Sequence, residues 1–566
     1  MKKTIALFLA MLMCTSSASA FTFPPPDWGA LLAEKTAMVS ETDFELYTEG
    51  PVDSAPYYGA KFEPVGGTYF GMVTENSAFL HPIGGYLTYF DLDSWQTDIY
   101  YPANNMIRDG NALTTVAFNI GSLNNVNYEV IRQALDNLAS YNKPMLIRFA
   151  NEMNVSSLGD DPDRYVSIFR DVANIIHNEY PQFGVIWSPN DLGALDRPFE
   201  YFYPGDEYVD WIGVSAYEKM YFVGNQNTDD KDARYFMTGD YAWTTNAVKP
   251  IIEFMKKNNI NKPLMLSECG ISTNTIHGSD QAWSEPRFRN LYFNTIMKYP
   301  QIKIINYFNV NRSEKETYDV ADIQNGIPHK EYAKAIMEEA LNSGAYIRGY
   351  NENPEFVFAP ASDSHTLSAK DGIVNLYTLA YIPKTPNISV NYTVDGQWYH
   401  STGSAPYKCG LNISAMADGA HTVEISASGL SKAYTFYKKG NSICFGKEPP
   451  APAINVTVNG ELLQFDSQPV AISGRVLVPV RAIFNALGVE IDWNNEEQTA
   501  YAYGRGHEIS IGLNSDVFYK DGAEIPLDVP AQAINNRILV PTRAISEALD
   551  CDVAWDGATN TVVITY

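Results

Sequence analysis

Met145-Leu146-Ile147-Arg148-Phe149-Ala150-Asn151-Glu152 is the stretch on which the fold turns. An apolar run interrupted only by Arg148 ends in Asn151 and Glu152, so it reads as a buried strand with an acid at its C-terminal end. Upstream, Tyr128, Ile131, Ala134, Leu135 and Leu138 recur at helical spacing until Asn142-Lys143-Pro144 breaks the helix. Downstream, Tyr165, Ile168, Phe169, Val172, Ile175 and Ile176 share one face of a longer helix, which Pro181 stops before the strand Val185-Ile186-Trp187. The rhythm continues through Val209 to Val214, Leu264 to Ser267 and Ile302 to Phe308. Earlier strands are expected at Thr68 to Val73, Gly85 to Phe90 and Thr114 to Ile120. Eight strands, each followed by a helix, is the count of a closed parallel (β/α)₈ TIM barrel; an open doubly wound sheet has the same local pattern.

Working outward, the 566 residues exceed one domain. Met1-Lys2-Lys3, the apolar run Ile5 to Met13 and Ser16-Ser17-Ala18-Ser19-Ala20 read as a signal peptide over residues 1–20, so export, to the medium or the cell surface, is expected. The barrel is assigned residues 21–349. Past Gly349 helical periodicity fades, and Asp395-Gly396 and Asp418-Gly419 mark turns between short strands, a small β-sandwich over 350–446. A Pro-rich linker follows at 447–453. Residues 454–566 contain a repeat: Arg475-Val476-Leu477-Val478-Pro479 returns as Arg537-Ile538-Leu539-Val540-Pro541, offset 537 − 475 = 62, and Trp493 returns as Trp555. Each copy reads as strand, short helix, strand, giving an α+β domain of two related halves.

The formal charge of −26 argues against a nucleic-acid partner, whose binding draws on clustered Lys and Arg, and suits a neutral polymer such as a polysaccharide. The five cysteines make no disulfide framework, although Cys409 and Cys444 could pair. The eight histidines show no ligand spacing, and neither metal nor cofactor is expected.

Glu152 follows one barrel strand, by count the fourth, and Glu268 ends the seventh. Side chains at strand C-termini line a barrel's active site. Two carboxyls there can serve as nucleophile and acid/base of a retaining glycosidase, which needs them roughly 5–5.5 Å apart. The alternative for either is a salt-bridged or exposed loop acid.

Arg148-Phe149-Ala150-Asn151-Glu152-Met153-Asn154, Trp187-Ser188-Pro189-Asn190, Tyr203-Pro204-Gly205-Asp206 with Tyr208 to Gly213, and Lys262-Pro263 with Ser267-Glu268-Cys269-Gly270 stand in an order that resembles glycoside hydrolase family 26, a clan A barrel family of β-mannanases, β-1,3-1,4-glucanases and xylanases. The resemblance spans about residues 60–340. It implies a retaining endo-β-glycanase with Glu152 as general acid/base, Glu268 as nucleophile and Tyr217 as the tyrosine that hydrogen-bonds the nucleophile. Glu152 is then expected to have its pKa raised by burial and by the neighbouring charge. Asn151 stands where the family has His; asparagine is usual elsewhere in the clan, contacting the sugar beside the scissile bond. Arg148 would balance the carboxylates or form a structural ion pair. Asn190 is a supporting candidate, and Trp187, Trp243 and Trp283 are candidate sugar platforms or core residues. The run Val155 to Gly159 lacks the tryptophan of family mannanases. The middle segment resembles bacterial immunoglobulin-like modules, and the C-terminal repeat resembles the copper amine oxidase N-terminal-like stalk domain, which implies surface attachment, with a cell-wall component as candidate partner, or a spacer role. With His507 as its one histidine, no copper site is expected there. The competing readings are a non-catalytic surface carbohydrate-binding protein on the same barrel, and an adhesion protein whose stalk is the working part.

Overall fold

The computed structural model describes residues 42–73, 83–93, 107–108, 110–190, 197–218, 248–271, 274–275, 278–279, 281–313, 316–317, 331–363, 365–382, 385, 388–447, 453–534, 537–557 and 559–566. The signal-peptide reading and Trp243 lie outside them. Two compact units divide the chain, Met1–Pro449 and Pro450–Tyr566. No helix among the described residues is long and apolar enough to cross a membrane.

The described chain opens with β1 (Asp43–Gly50), and the barrel follows: β2 (Thr68–Val73), β3 (Gly85–Asp91), β4 (Leu113–Asn119), β5 (Met145–Phe149), β6 (Phe183–Trp187), β7 (Trp211–Glu218), β8 (Leu264–Ile271) and β9 (Ile302–Phe308). Each pairs in parallel with the next, and β9 pairs in parallel with β2, closing the ring. Closure excludes the open doubly wound sheet. Near-continuous burial of these strands follows from helices covering the outside and side chains filling the inside. The helices Tyr128–Ala139 and Pro162–Glu179 bury the faces expected of them, and Asn127 and Asp161 cap their first turns.

Residues 21–349 are not all barrel. β1 is a central strand of the sandwich, antiparallel to Val357–Pro360 on one side and to Ile373–Tyr381 on the other. Its four-stranded sheet faces a six-stranded sheet running from Thr366–Ser368 to Gln397–Thr402, and the Leu46 amide donates to Tyr434 Oη across them at 3.0 Å. Lys298 of the barrel pairs with Asp43 at 2.6 Å, and Asn294 donates to the Ala380 carbonyl, so barrel and sandwich share one packed unit. Cys269, Cys409, Cys444 and Cys551 are all free and buried; Cys409 and Cys444 sit in different sheets, so they do not form the bridge that sequence allowed.

In the C-terminal unit the repeat becomes a pseudo-two-fold. Arg475–Pro479 and Arg537–Pro541 pair antiparallel with Val478 opposite Val540, two repeat-equivalent residues. Arg475 binds Asp528 at 2.6 Å and Arg537 binds Asp466 at 2.7 Å, an exchanged pair across the halves.

Candidate active site

Local backbone geometry brings two glutamates and one arginine together at the C-terminal end of the barrel. After β5, Ala150 and Glu152 both adopt left-handed conformations, φ 46° and 56°. That region disfavours any residue with a Cβ by about 1–3 kcal/mol, and such strain gathers at functional sites. The turn is held by the Ala150 amide on the Phe118 carbonyl and the Glu152 amide on the Ser188 carbonyl, at 3.1 and 2.9 Å.

On β8 the device is a bulge. Val214 stands opposite Leu266 but Ser215 stands opposite Glu268, so one extra residue is inserted on β8. Ser267 and Glu268 thereby both reach the interior although they are neighbours in sequence. Gly213 on β7 makes room for this: a Cβ there would lie 2.1 Å from Ser267 Oγ and 2.8 Å from Ser188 Oγ.

Arg148 is fully buried at the centre. Its Nη1 donates to Glu268 Oε1, its Nη2 lies 3.8 Å from Glu152 Oε1 and donates to Ser215 Oγ at 2.6 Å, and its Nε donates to Ser188 Oγ at 3.0 Å. Ser188 Oγ in turn donates to Ser267 Oγ at 3.1 Å. Every edge of the guanidinium is met, which is what makes a buried charge tolerable. Tyr217 Oη donates to the other oxygen of Glu268 at 2.8 Å, and its ring packs edge-on against Phe308.

Burial, then the negative charge of Glu268, pushes the Glu152 carboxyl above the ordinary carboxylic range. Arg148 and hydrogen bonds from Ser215 and Asn190 pull the other way without cancelling it. Asn190 is set in place by its amide donating to Asn154 Oδ1 at 2.8 Å and its carbonyl accepting from Asn154 Nδ2 at 3.2 Å. Asn151 lies beside Glu152 with a buried Oδ1 that has no hydrogen-bond partner among the described residues.

Trp187 is not a sugar platform. It is fully buried, packed against Phe199, Tyr203 and Phe254. Side chains alternate along a strand, and with Ser188 turned inward Trp187 must face the outer layer. The side chain of Trp283 lies outside the described residues.

The serines at 188, 215 and 267 and Tyr89 went unread in sequence. Burial and the adjacent carboxylates, Glu268 foremost, drive the Tyr89 phenol far above its ordinary range. Ser188 and Ser267 stand inside the motifs that carry the family resemblance, whereas Ser215 and Tyr89 had only their place near the C-terminal end of a barrel strand to mark them.

In the C-terminal unit both ring nitrogens of His507 meet carboxylates, Asp521 at 2.7 Å and Asp550 at 3.0 Å, and these hydrogen bonds, Asp550's foremost, raise its pKa.

No curated protein matches the chain. Among solved structures, a Cellulomonas fimi endo-β-1,4-mannanase double mutant is similar at 13% identity and TM-score 0.35, over 70% of this chain and 99% of that one. The catalytic domain of a Bacillus sp. JAMB-750 endo-β-1,4-mannanase is similar at 15% identity and TM-score 0.37, over 54% and 97%. A Bacteroides uniformis β-glucuronidase is similar at 11% and 0.32, over 66% and 43%. Residues 457–564 match the copper amine oxidase N-terminal domain, and residues 92–292, which carry Arg148, Glu152, Tyr217 and Glu268, match glycosyl hydrolase family 26.

Proposed function

We propose that the protein is an exported retaining endo-β-glycanase whose barrel cleaves a β-linked polysaccharide through a covalent glycosyl-enzyme. The observation that carries this is the single arginine touching two carboxylates of unlike surroundings, Glu268 buried and Glu152 partly exposed. One side chain reaching both keeps the pair within one site, and the match to glycosyl hydrolase family 26 supports the retaining outcome. Glu268 takes two donors, from Arg148 and Tyr217, which hold its carboxylate in place as a nucleophile. Glu152, pushed up by burial and by that neighbour, is suited to carry a proton.

In the first step Glu152 gives its proton to the glycosidic oxygen while Glu268 attacks the anomeric carbon; the C–O bond to the leaving sugar breaks and an ester to Glu268 forms. In the second, Glu152 takes a proton from water, whose oxygen attacks the same carbon and frees Glu268. Two inversions leave the configuration unchanged. The uncommitted Oδ1 of Asn151 can accept from a sugar hydroxyl beside Glu152.

The test is reducing-sugar release from mannan, mixed-linkage β-glucan and xylan by the intact protein and by Glu152→Gln and Glu268→Gln. We expect release from at least one polymer, lost in both variants by roughly 10³-fold or more, with the product first seen by NMR as the β-anomer. A protein that binds one of these glycans and cleaves none would be the non-catalytic carbohydrate-binding protein instead.

A further inference from the structure

The two halves of the C-terminal unit can be compared position by position, because the offset of 62 holds in the backbone as well. Positive φ recurs at Asn459 and Asp521, Gly488 and Asp550, and Gln498 and Asn560. Strands Thr499–Gly504 and Val517–Lys520 of the five-stranded sheet therefore correspond to Thr561–Thr565 and Asn455–Val458 of a four-stranded one. Their inward positions agree in kind: Ala500, Ala502 and Phe518 in one, Val562, Ile564 and Val456 in the other, all buried.

The outward positions do not agree. Tyr501, Tyr503 and Tyr519 stand where the other sheet has Val563, Thr565 and Thr457. Packing of the fold needs only the inward set, so three large rings on one outer face and none at the equivalent places call for another reason. Tyr503 is 51% exposed and Tyr519 42%. Exposed aromatic surface gathered on one face marks an interaction site.

The register sets the spacing. Tyr501 stands opposite Ser510, and Ser510 opposite Tyr519, so two rings flank a small residue about 10 Å apart across two strands, with Tyr503 roughly 7 Å along from Tyr501. Acids border the rings: Asp492 opposite Tyr501, Glu508 opposite Tyr503 and Glu524 opposite Tyr519. Tyr501 and Tyr519 donate their hydroxyls to Glu497 and Glu524, which anchors the rings by their edges.

We propose that this tyrosine face is a second polysaccharide-binding site, distinct from the barrel's, for a neutral glycan chain. The C–H faces of pyranose rings are weakly positive and pack on the negative faces of aromatic rings, while carboxylates accept from sugar hydroxyls. The bordering acids repel polyanions, so nucleic acid, anionic lipid and anionic wall polymers are poor occupants. Tyrosine gives broad, rigid contact at little entropic cost. The choice of a glycan over a cationic chain rests on the function proposed for the barrel.

The full-length chain carrying Glu268→Gln, which cannot cleave, is assayed by pull-down on insoluble mannan, cellulose and xylan. Adding Tyr501→Ala, Tyr503→Ala and Tyr519→Ala together should lower affinity for the bound polysaccharide by about tenfold or more, with unchanged thermal unfolding. The triple Phe variant should retain binding, because stacking remains, and Thr457→Ala with Thr565→Ala should bind like the parent. Unchanged binding by the triple Ala variant, or capture on immobilised poly-lysine and on no glycan, would overturn the proposal. Turnover of a soluble β-linked oligosaccharide by chains with Glu268 intact separates the two readings. If tyrosine-dependent binding persists without turnover, the barrel's function falls and this site stands; if turnover persists while binding ignores the tyrosines, the reverse holds.

Discussion

The barrel buries a cation at each end, and the two are treated differently. At the mouth, Arg148 meets two carboxylates and two serine hydroxyls. At the floor, Lys303 at the start of β9 is fully buried and its Nζ has no hydrogen-bond partner among the described residues. Burial pulls its pKa down to about 8, against the weaker attraction of Glu63. Glu63 is itself occupied by the amides of Tyr58 and Ala60 at 3.0–3.1 Å, and burial raises its pKa. Arginine cannot shed its proton, so a buried one has to be surrounded by acceptors; lysine can go neutral when its surroundings are poor. The mouth is thus a charge network joined by hydrogen bonds, and the floor is an amine with no hydrogen-bond partner among the described residues whose pKa lies closer to neutrality.

Breaking the mouth should have the larger effect. Arg148→Met leaves the buried Glu268 and the partly buried Glu152 without their cation. Stability should fall by about 3–5 kcal/mol, and the basic limb of the kcat profile should move to higher pH as Glu152 becomes still harder to ionise. Chemical denaturation and a pH–rate series check both; loss of stability with an unmoved basic limb would mean Arg148 is structural only. Tyr217→Phe removes a donor to Glu268 while keeping the ring, and should cost roughly 10²-fold in kcat at unchanged thermal stability. A loss confined to KM would separate Tyr217 from the nucleophile.

The floor should behave in the opposite sense. Lys303→Met deletes a buried charge that makes no hydrogen bond among the described residues and feels only the weak attraction of Glu63, so stability at pH 7 should hold or rise, by about 1–3 kcal/mol at most. The sign follows from linkage: with a folded pKa of about 8 and an unfolded value near 10.5, the unfolded chain binds more protons between those limits. The parent should therefore gain stability on going from about pH 8 to 10.5, and the difference between parent and variant should shrink over that window. A variant strongly destabilised at pH 7 would show that Lys303 has partners as Arg148 does.

Much of the mouth, and none of the floor, was legible before folding. The eight apolar runs, the helices between them, the repeat at 62 and an acid at the end of two strands are properties of short stretches, because burial along one element leaves its period in that element's own residues. Arg148 and Glu152 could be paired on paper since they lie four apart beside one strand end. The supporting serines could not: Ser215 and Ser267 resemble any small residues in buried strands until the bulge on β8 turns Ser267 and Glu268 the same way. Trp187 stayed open between platform and core because its neighbours in sequence, Ser188 and Asn190, belong to the site, and its burial against Phe199, Tyr203 and Phe254 bears out the core reading.

By itself, then, the sequence determined the kinds of element, their order and the chemistry available at the strand ends. Tertiary structure alone decided that β1 serves a sandwich whose other strands lie some 310 residues onward, that β9 closes on β2, and that one guanidinium joins two carboxylates. The physical reason is range: periodicity records whether a residue is buried, but pairing and side-chain approach depend on which distant surface does the burying.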